Sequence, residues 1–179
     1  MSGTLTYSLP APQRADSPGE WLERLYWASR DDLYAYLATL LGDHSAAEEV
    51  TALAFERAFR KRRLFNPRRG SERAWLFGIA RNAALDELRR RRRTTPLAED
   101  FAAERLAADD HSERTVRRAA VQTALARLAP RERELIALKF HGGLSNLDLA
   151  RVLGVSESNA GTLLHRAITK LRKACDEQA

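Results

Sequence analysis

The amino-acid sequence predicts an all-α chain, two small helical domains joined by an acidic linker. Three observations lead there. Apolar residues recur at spacings of three and four along most of the chain, as amphipathic helices require. Ser, Asn, Pro and Gly stand where such helices would start and stop. Between them, residues 94–113 lack a strong apolar period and set Glu99, Asp100, Glu104, Asp109, Asp110 and Glu113 against Arg105 alone. That reads as a linker, with a poorly patterned surface helix over residues 102–108 as the alternative. With 179 residues and 44% hydrophobic content, the chain has enough apolar material for compact cores.

In order, residues 1–19 hold Pro10, Pro12 and Pro18 without a sustained period, and a flexible arm is expected. From Glu20 a helix begins, with Trp21, Leu22, Leu25, Tyr26, Leu33, Tyr36, Leu37, Leu40 and Leu41 on its apolar side and Gly42 at its end. Ser45, with Glu48 three residues on, has the form of a capping box for the next helix. That helix carries Val50, Ala54, Phe55, Ala58 and Phe59 and runs into Arg60, Lys61, Arg62 and Arg63. A break at residues 64–71 contains Asn66-Pro67 and Gly70, and Ser71 suits the N-cap of a third helix. Leu76, Ile79, Ala80 and Ala83 form that helix's apolar stripe, with Arg81 and Asn82 off it. A first domain over residues 20–93 follows.

Apolar periodicity resumes with Val116, Ala120, Val121, Ala124, Leu125 and Leu128, opening a second domain over residues 114–179. Pro130 suits the first turn of a helix that Gly142-Gly143 stops. Ser145 then caps a short helix to Leu153, Gly154-Val155-Ser156 makes a tight turn, and Ser156 caps a last helix running to about Lys173. Short helix, glycine turn, longer helix is the pattern of a helix-turn-helix. On the last helix Ala160, Leu164, Ala167 and Leu171 face inward. Ser158, Thr162, His165 and Thr169 face outward, flanked by Asn159 and Arg166. Small hydrogen-bonding side chains suit base edges, while Arg166, Lys170, Arg172 and Lys173 suit phosphates.

Charge points the same way. The formal net charge is +6, and Arg89, Arg90, Arg91, Arg92 and Arg93 follow one another. A single cation would satisfy a helix dipole; five in a row repel one another unless an anion such as a phosphate backbone is near. Enzyme chemistry finds no support. His44, His111, His141 and His165 are scattered, with no zinc-protease spacing, phosphate loop or nucleophile elbow. The single cysteine, Cys175, offers neither a disulfide framework nor a metal site, so no metal and no cofactor is expected. No apolar run is long enough to cross a bilayer, and no signal pattern opens the chain. A cytoplasmic protein, monomeric when free, is expected.

WLFGIARNAALDELRRRRR at residues 75–93 and LSNLDLARVLGVSESNAGTLLHRAITKLRK at residues 144–173 together resemble the extracytoplasmic-function (ECF) class of bacterial RNA polymerase sigma factors, over roughly residues 20–175. The resemblance implies a promoter-recognition subunit; the alternative, a stand-alone helix-turn-helix DNA-binding regulator, would leave the Trp75 helix and its loop without a task. The subunit's first domain would bind the clamp helices of the polymerase largest subunit and melt the minus-ten element. Its second would sit under the polymerase flap and read the minus-thirty-five element, and an anti-sigma protein would hold the chain inactive. The acidic linker would follow a path lined with basic groups, and the two domains would change relative position between states.

Holding a base out of the stack requires an aromatic and hydrogen-bonding pocket beside cations. The resemblance places it in the loop with Phe65, Asn66, Arg68 and Arg69, although Phe65 equally suits closing the end of the bundle. Arg81 and Asn82 match the family's IARN, and Arg89, Arg90, Arg92 and Arg93 extend the minus-ten surface; Asn82 could instead cross-link helices. Ser156, Ser158, Asn159, Thr162, His165, Arg166 and Lys170 are the expected minus-thirty-five contacts. Glu49, Ala52, Leu53 and Glu56 are the expected polymerase-binding surface, where an exposed Leu53 replaces a polar family residue. Gly161 and Leu163 stand where many relatives carry cations, so a shallower salt dependence is expected; Leu163 could also extend the core.

Overall fold

The computed structural model describes residues 17–94 and 113–177. Residues 1–16 of the expected arm and 95–112 of the expected linker lie outside the described residues. Among the described residues every regular element is helical: α1 (Pro18–Leu41), α2 (His44–Lys61), α3 (Glu72–Thr94), α4 (Glu113–Ala126), α5 (Pro130–Phe140), α6 (Asn146–Leu153) and α7 (Glu157–Asp176), with two short 3-10 turns, Arg62–Leu64 and Pro67–Arg69, between α2 and α3.

Helix α1 starts earlier than its apolar period. The Ser17 hydroxyl accepts from the Glu20 amide at 3.3 Å, and the Glu20 carboxylate accepts from the Ser17 amide at 2.7 Å. Pro18 needs no amide partner in the first turn, so Pro18 and Gly19 belong to the helix rather than to the arm. Gly42 closes α1 through its amide to the Ala38 carbonyl at 3.0 Å. The Ser45–Glu48 capping box does not form. The chain turns so sharply at Gly42 that Asp43 already stands at the N-cap, accepting from the Ala46 amide at 2.9 Å. The same carboxylate accepts from Arg91 at 2.8 Å, tying the start of α2 to the far end of α3.

Helices α1, α2 and α3 bury Leu25, Leu33, Tyr36, Leu37, Leu41, Val50, Phe55, Leu76 and Phe77 against one another. The α3 stripe is broader than its period suggests. Phe77 and Ala84 are as buried as Leu76 and Ala80, whereas Ile79 is half-buried. The reason is that α3 is covered from two sides, by α1 and α2 and by α6.

In the C-terminal half, α4, α5 and α6 all pack on α7. The cap of α6 forms as its residues predict, Ser145 accepting from the Asp148 amide at 3.1 Å, and Ser156 caps α7 by accepting from the Asn159 amide at 3.2 Å. Gly154, at φ 70°, makes the left-handed step between them that an L side chain would resist. Gly142 is required for a different reason. A Cβ there would lie 2.4 Å from the Leu138 carbonyl oxygen, and no side chain fits.

The two halves pack on each other. Helix α5 lies on α1 and α6 on α3, so Leu138, Leu144 and Leu149 join Tyr36, Leu37 and Phe77 in one continuous core. Arg73 on α3 stitches the seam. It donates to the Ala28 carbonyl at 3.0 Å, to Asp32 at 2.6 Å, and across to the Gly142 and His141 carbonyls at 2.5 and 3.2 Å. His141 is half-buried there, and that burial lowers its pKa from the ordinary imidazole value, opposed in part by Asp32.

Candidate nucleic-acid interface

Three basic surfaces flank this core. The first is the connection between α2 and α3. Phe65 is half-buried and packs on Trp75 with ring centroids 5.6 Å apart; Trp75 in turn meets Trp21 at 6.4 Å. The Trp21 indole donates to Glu72 at 2.7 Å, and Arg24 pairs with the same carboxylate at 2.9 Å. Those contacts hold the carboxyl of Glu72 below its usual pKa, Arg24 being the larger cause. The aromatic row is therefore fixed from behind, and Phe65 both closes the bundle end and stays partly open.

Asn66 is exposed, yet its side chain is already engaged, accepting from the Arg68 amide at 2.9 Å and shaping the second 3-10 turn. Lys61, Arg63, Arg68 and Arg69 project into solvent with no ion pair among the described residues, whereas Arg62 folds back on the Phe59 ring and carbonyl. Leu64, 74% exposed, stands at the tip of the same connection. Its exposure is not legible in the sequence, because an apolar residue beside a turn resembles an ordinary core anchor.

The second surface is α3. Of the five consecutive arginines at its end, Arg91 turns inward to Asp43 and Glu87, while Arg89 and Arg90 pair with Asp86 and Glu87 one turn back. Arg90 and then Arg91 hold the Glu87 carboxyl at about 2, far below the usual carboxylate range. Arg92 and Arg93 are exposed. The exposed Arg89–Asp86 pair contributes little, so a phosphate competes with it readily. Asn82 is exposed and cross-links no helices among the described residues. Arg81 is not free. Its guanidinium meets Glu134 of α5 at 2.7 and 3.5 Å.

The third surface is α7. Ala160, Leu164 and Ala167 are buried, Leu171 is half-buried, and Ser158, Asn159, Thr162, His165, Arg166 and Thr169 are exposed. The Thr162 and Thr169 hydroxyls donate to the Ser158 and His165 carbonyls of their own helix at 3.0 and 2.9 Å. Their oxygens remain available as acceptors. Lys170 is committed to Glu132 of α5, whose carboxyl it holds below its usual pKa. Leu163 does not extend the core; it lines an open groove between α5 and α7 together with Arg131, Leu135 and Arg166.

On α2, Glu49, Ala52 and Glu56 are exposed along one strip. Leu53, expected to be exposed, is half-buried and packs on the core, because its position on α2 falls between the exposed strip and buried Val50 and Ala54.

Comparison with known proteins gives a consistent pattern. The family model described as Sigma-70 region 2 matches residues 25–94, and that described as Sigma-70, region 4 matches residues 118–171. The chain is 32% identical over 161 residues to the ECF RNA polymerase sigma factor BldN of Streptomyces coelicolor, covering 87% of this chain and 61% of that protein. It is 33% identical over 133 residues to the ECF RNA polymerase sigma factor RpoE of Cereibacter sphaeroides, covering 72% of each. Among solved structures, the sigma factor RpoE in complex with the anti-sigma factor NepR from Bartonella quintana superposes with a TM-score of 0.70 at 23% identity, covering 86% of this chain and 96% of that one, a likeness of fold alone. CnrH in complex with the cytosolic domain of CnrY gives 0.65 at 25% identity, covering 88% and 89%.

Proposed function

The chain belongs to the ECF class of RNA polymerase sigma factors, and from that premise we propose how its residues divide promoter recognition. Residues 20–93 form the domain that binds core polymerase and melts the minus-ten element. Residues 114–179 form the domain that reads the minus-thirty-five element. The chain acts by binding and not by catalysis. Among the described residues no helix is long and apolar enough to cross a membrane, and the site of action we propose is the cytoplasm, at the nucleoid.

The observation that carries this reading is the connection before α3. Phe65 is buttressed by Trp75 and Trp21, while Lys61, Arg63, Arg68 and Arg69 are exposed beside it in the chain with no ion pair among the described residues. A flipped base requires a rigid stacking partner, because an aromatic ring that must itself be ordered on binding gives back part of the stacking energy. Phosphates on either side of the base require cations that have no protein partner to abandon. Phe65 stacks the base, the Asn66 amide nitrogen donates to its edge, and Arg68 and Arg69 hold its phosphates. Arg92 and Arg93, with Arg89 and Arg90 displaced from their acids, continue the track along α3.

On α7, Ser158, Asn159, Thr162, His165 and Arg166 enter the major groove, and Ser156 contributes its backbone amide at the helix start. Lys170 reaches a phosphate only by leaving Glu132. Glu49, Ala52 and Glu56, with the outer edge of Leu53, meet the polymerase clamp. One structural relative is a complex with an anti-sigma factor, and a partner of that class is proposed here too. Run-off transcription with core polymerase and upstream genomic fragments tests the proposal: discrete starts with the unmodified chain, lost in Phe65→Ala/Asn66→Ala while polymerase binding persists.

A further inference from the structure

The seam between the halves carries a charge cluster that the promoter reading does not use. Glu134 on α5 is 6% exposed and Arg81 on α3 has a side chain 21% exposed, joined at 2.7 Å. Beside them Tyr36 of α1 is fully buried, and its hydroxyl makes no hydrogen bond of ordinary geometry. Burial first, then the Glu134 charge, pushes that phenol well above its usual pKa. Three helices thus converge on one buried ion pair and one buried phenol, at a seam that Arg73 also crosses.

We propose that the Arg81–Glu134 pair is a release latch, in which docking of the C-terminal half on α3 and engagement of promoter DNA by Arg81 exclude each other. The inference rests on the reading of α3 as a DNA-contacting helix. An apolar seam alone would be worth more the more area it buried, and would have no reason to open. A buried ion pair changes that balance. Docking strips water from both charges, and their attraction returns roughly that cost, so the pair contributes specificity more than strength. A phosphate oxygen offers the Arg81 guanidinium the same charge-assisted contact as Glu134 without the burial.

Arg73, eight residues earlier on α3, makes the contrast. It is held by three backbone carbonyls as well as by Asp32, so a phosphate that took the place of the carboxylate would leave three of its four partners unreplaced. DNA that captures Arg81 leaves Glu134 buried and unpaired, so the halves part. By the reciprocity of linkage, docking weakens DNA binding by the same factor.

The full chain tests this by single-molecule energy transfer between labels at Ser45→Cys and Arg172→Cys in a Cys175→Ser background. Glu134→Gln leaves Arg81 without its countercharge in the docked form, and the open population should rise about tenfold or more. Affinity for a pool of single-stranded 12-mers should rise with it, because the competent fraction grows. The exchanged pair Arg81→Glu/Glu134→Arg should restore the docked distance. An unchanged distance distribution in folded Glu134→Gln overturns the latch. If Glu134→Gln does not fold, the unmodified chain decides: oligonucleotide binding should raise amide exchange in α5 and α6, and bound oligonucleotide with unchanged exchange overturns the latch. A chain that binds no oligonucleotide and starts no transcription removes the promoter reading instead.

Discussion

Two glycines in the C-terminal half should answer the same substitution with opposite signs. At Gly142 an added Cβ meets the Leu138 carbonyl oxygen at 2.4 Å, its carbon at 3.2 Å and the Leu144 Cγ at 3.2 Å. The nearest obstacle is backbone, at the closing turn of α5, so the loop itself must move. Forcing a methyl into such a site costs about 1–3 kcal/mol. The movement also strains the Leu144 amide bond to Leu138, 3.4 Å, and the Arg73 hydrogen bond to the Gly142 carbonyl, 2.5 Å. Each is worth about 1 kcal/mol. A loss of roughly 2–4 kcal/mol in Gly142→Ala, at about 2–4 °C per kcal/mol for a chain of this size, lowers the melting temperature by about 5–15 °C. At Gly161 the added Cβ finds only Asn146 Nδ2, at 3.6 Å, an ordinary contact. There the helix gains up to ~1 kcal/mol from alanine, and the melting temperature rises by about 2–4 °C. Thermal unfolding followed by circular dichroism reads both. A Gly142→Ala chain melting with the parent, or a Gly161→Ala chain melting below it, would refute the packing described for the α5–α6 connection and the start of α7.

Other outcomes follow from the basic surfaces. Arg92→Ala/Arg93→Ala should leave the melting temperature unchanged and reduce the magnitude of the salt slope of promoter binding by about 0.7–0.9 for each phosphate that is no longer neutralised, measured by binding between low and high salt. Arg91→Ala should instead destabilise the fold, since it severs Asp43 and Glu87 together. Because Glu87 titrates at about 2 in the fold, below its ordinary 4.5, its contribution is complete above 4.5 and fades as pH falls from 4.5 toward 2. Melting temperatures of the parent and Glu87→Gln should therefore differ at pH 6 and converge near pH 2. Ser145→Ala removes the α6 cap and should cost about 1 kcal/mol, seen in denaturant unfolding.

What could be read from residues alone divides along sequence distance. The caps at Ser71, Ser145 and Ser156 and the inward stripe of α7 were legible, because the groups involved lie within a few residues of one another. Ser45–Glu48 matched a capping box equally well, and only the tight turn at Gly42 decides for Asp43. Arg81 illustrates the opposite case. Its position off the apolar stripe marks it as available, but its partner lies 53 residues away across a seam that no local pattern announces. The broad burial of α3 has the same origin, since α6 covers a face that periodicity alone assigns to solvent. For Leu53 the helical wheel places it at the border of the buried stripe, where packing of neighbours rather than spacing sets exposure.

Run-off transcription with sigma-free core polymerase tests the division of promoter recognition most directly. Discrete start sites on upstream fragments are predicted with the unmodified chain, and their loss in Phe65→Ala/Asn66→Ala with core binding retained. Starts that survive that substitution would contradict the placement of melting in the loop. Absence of both initiation and core binding, with sequence-specific duplex binding by the unmodified chain, would contradict the division of labour between the two domains.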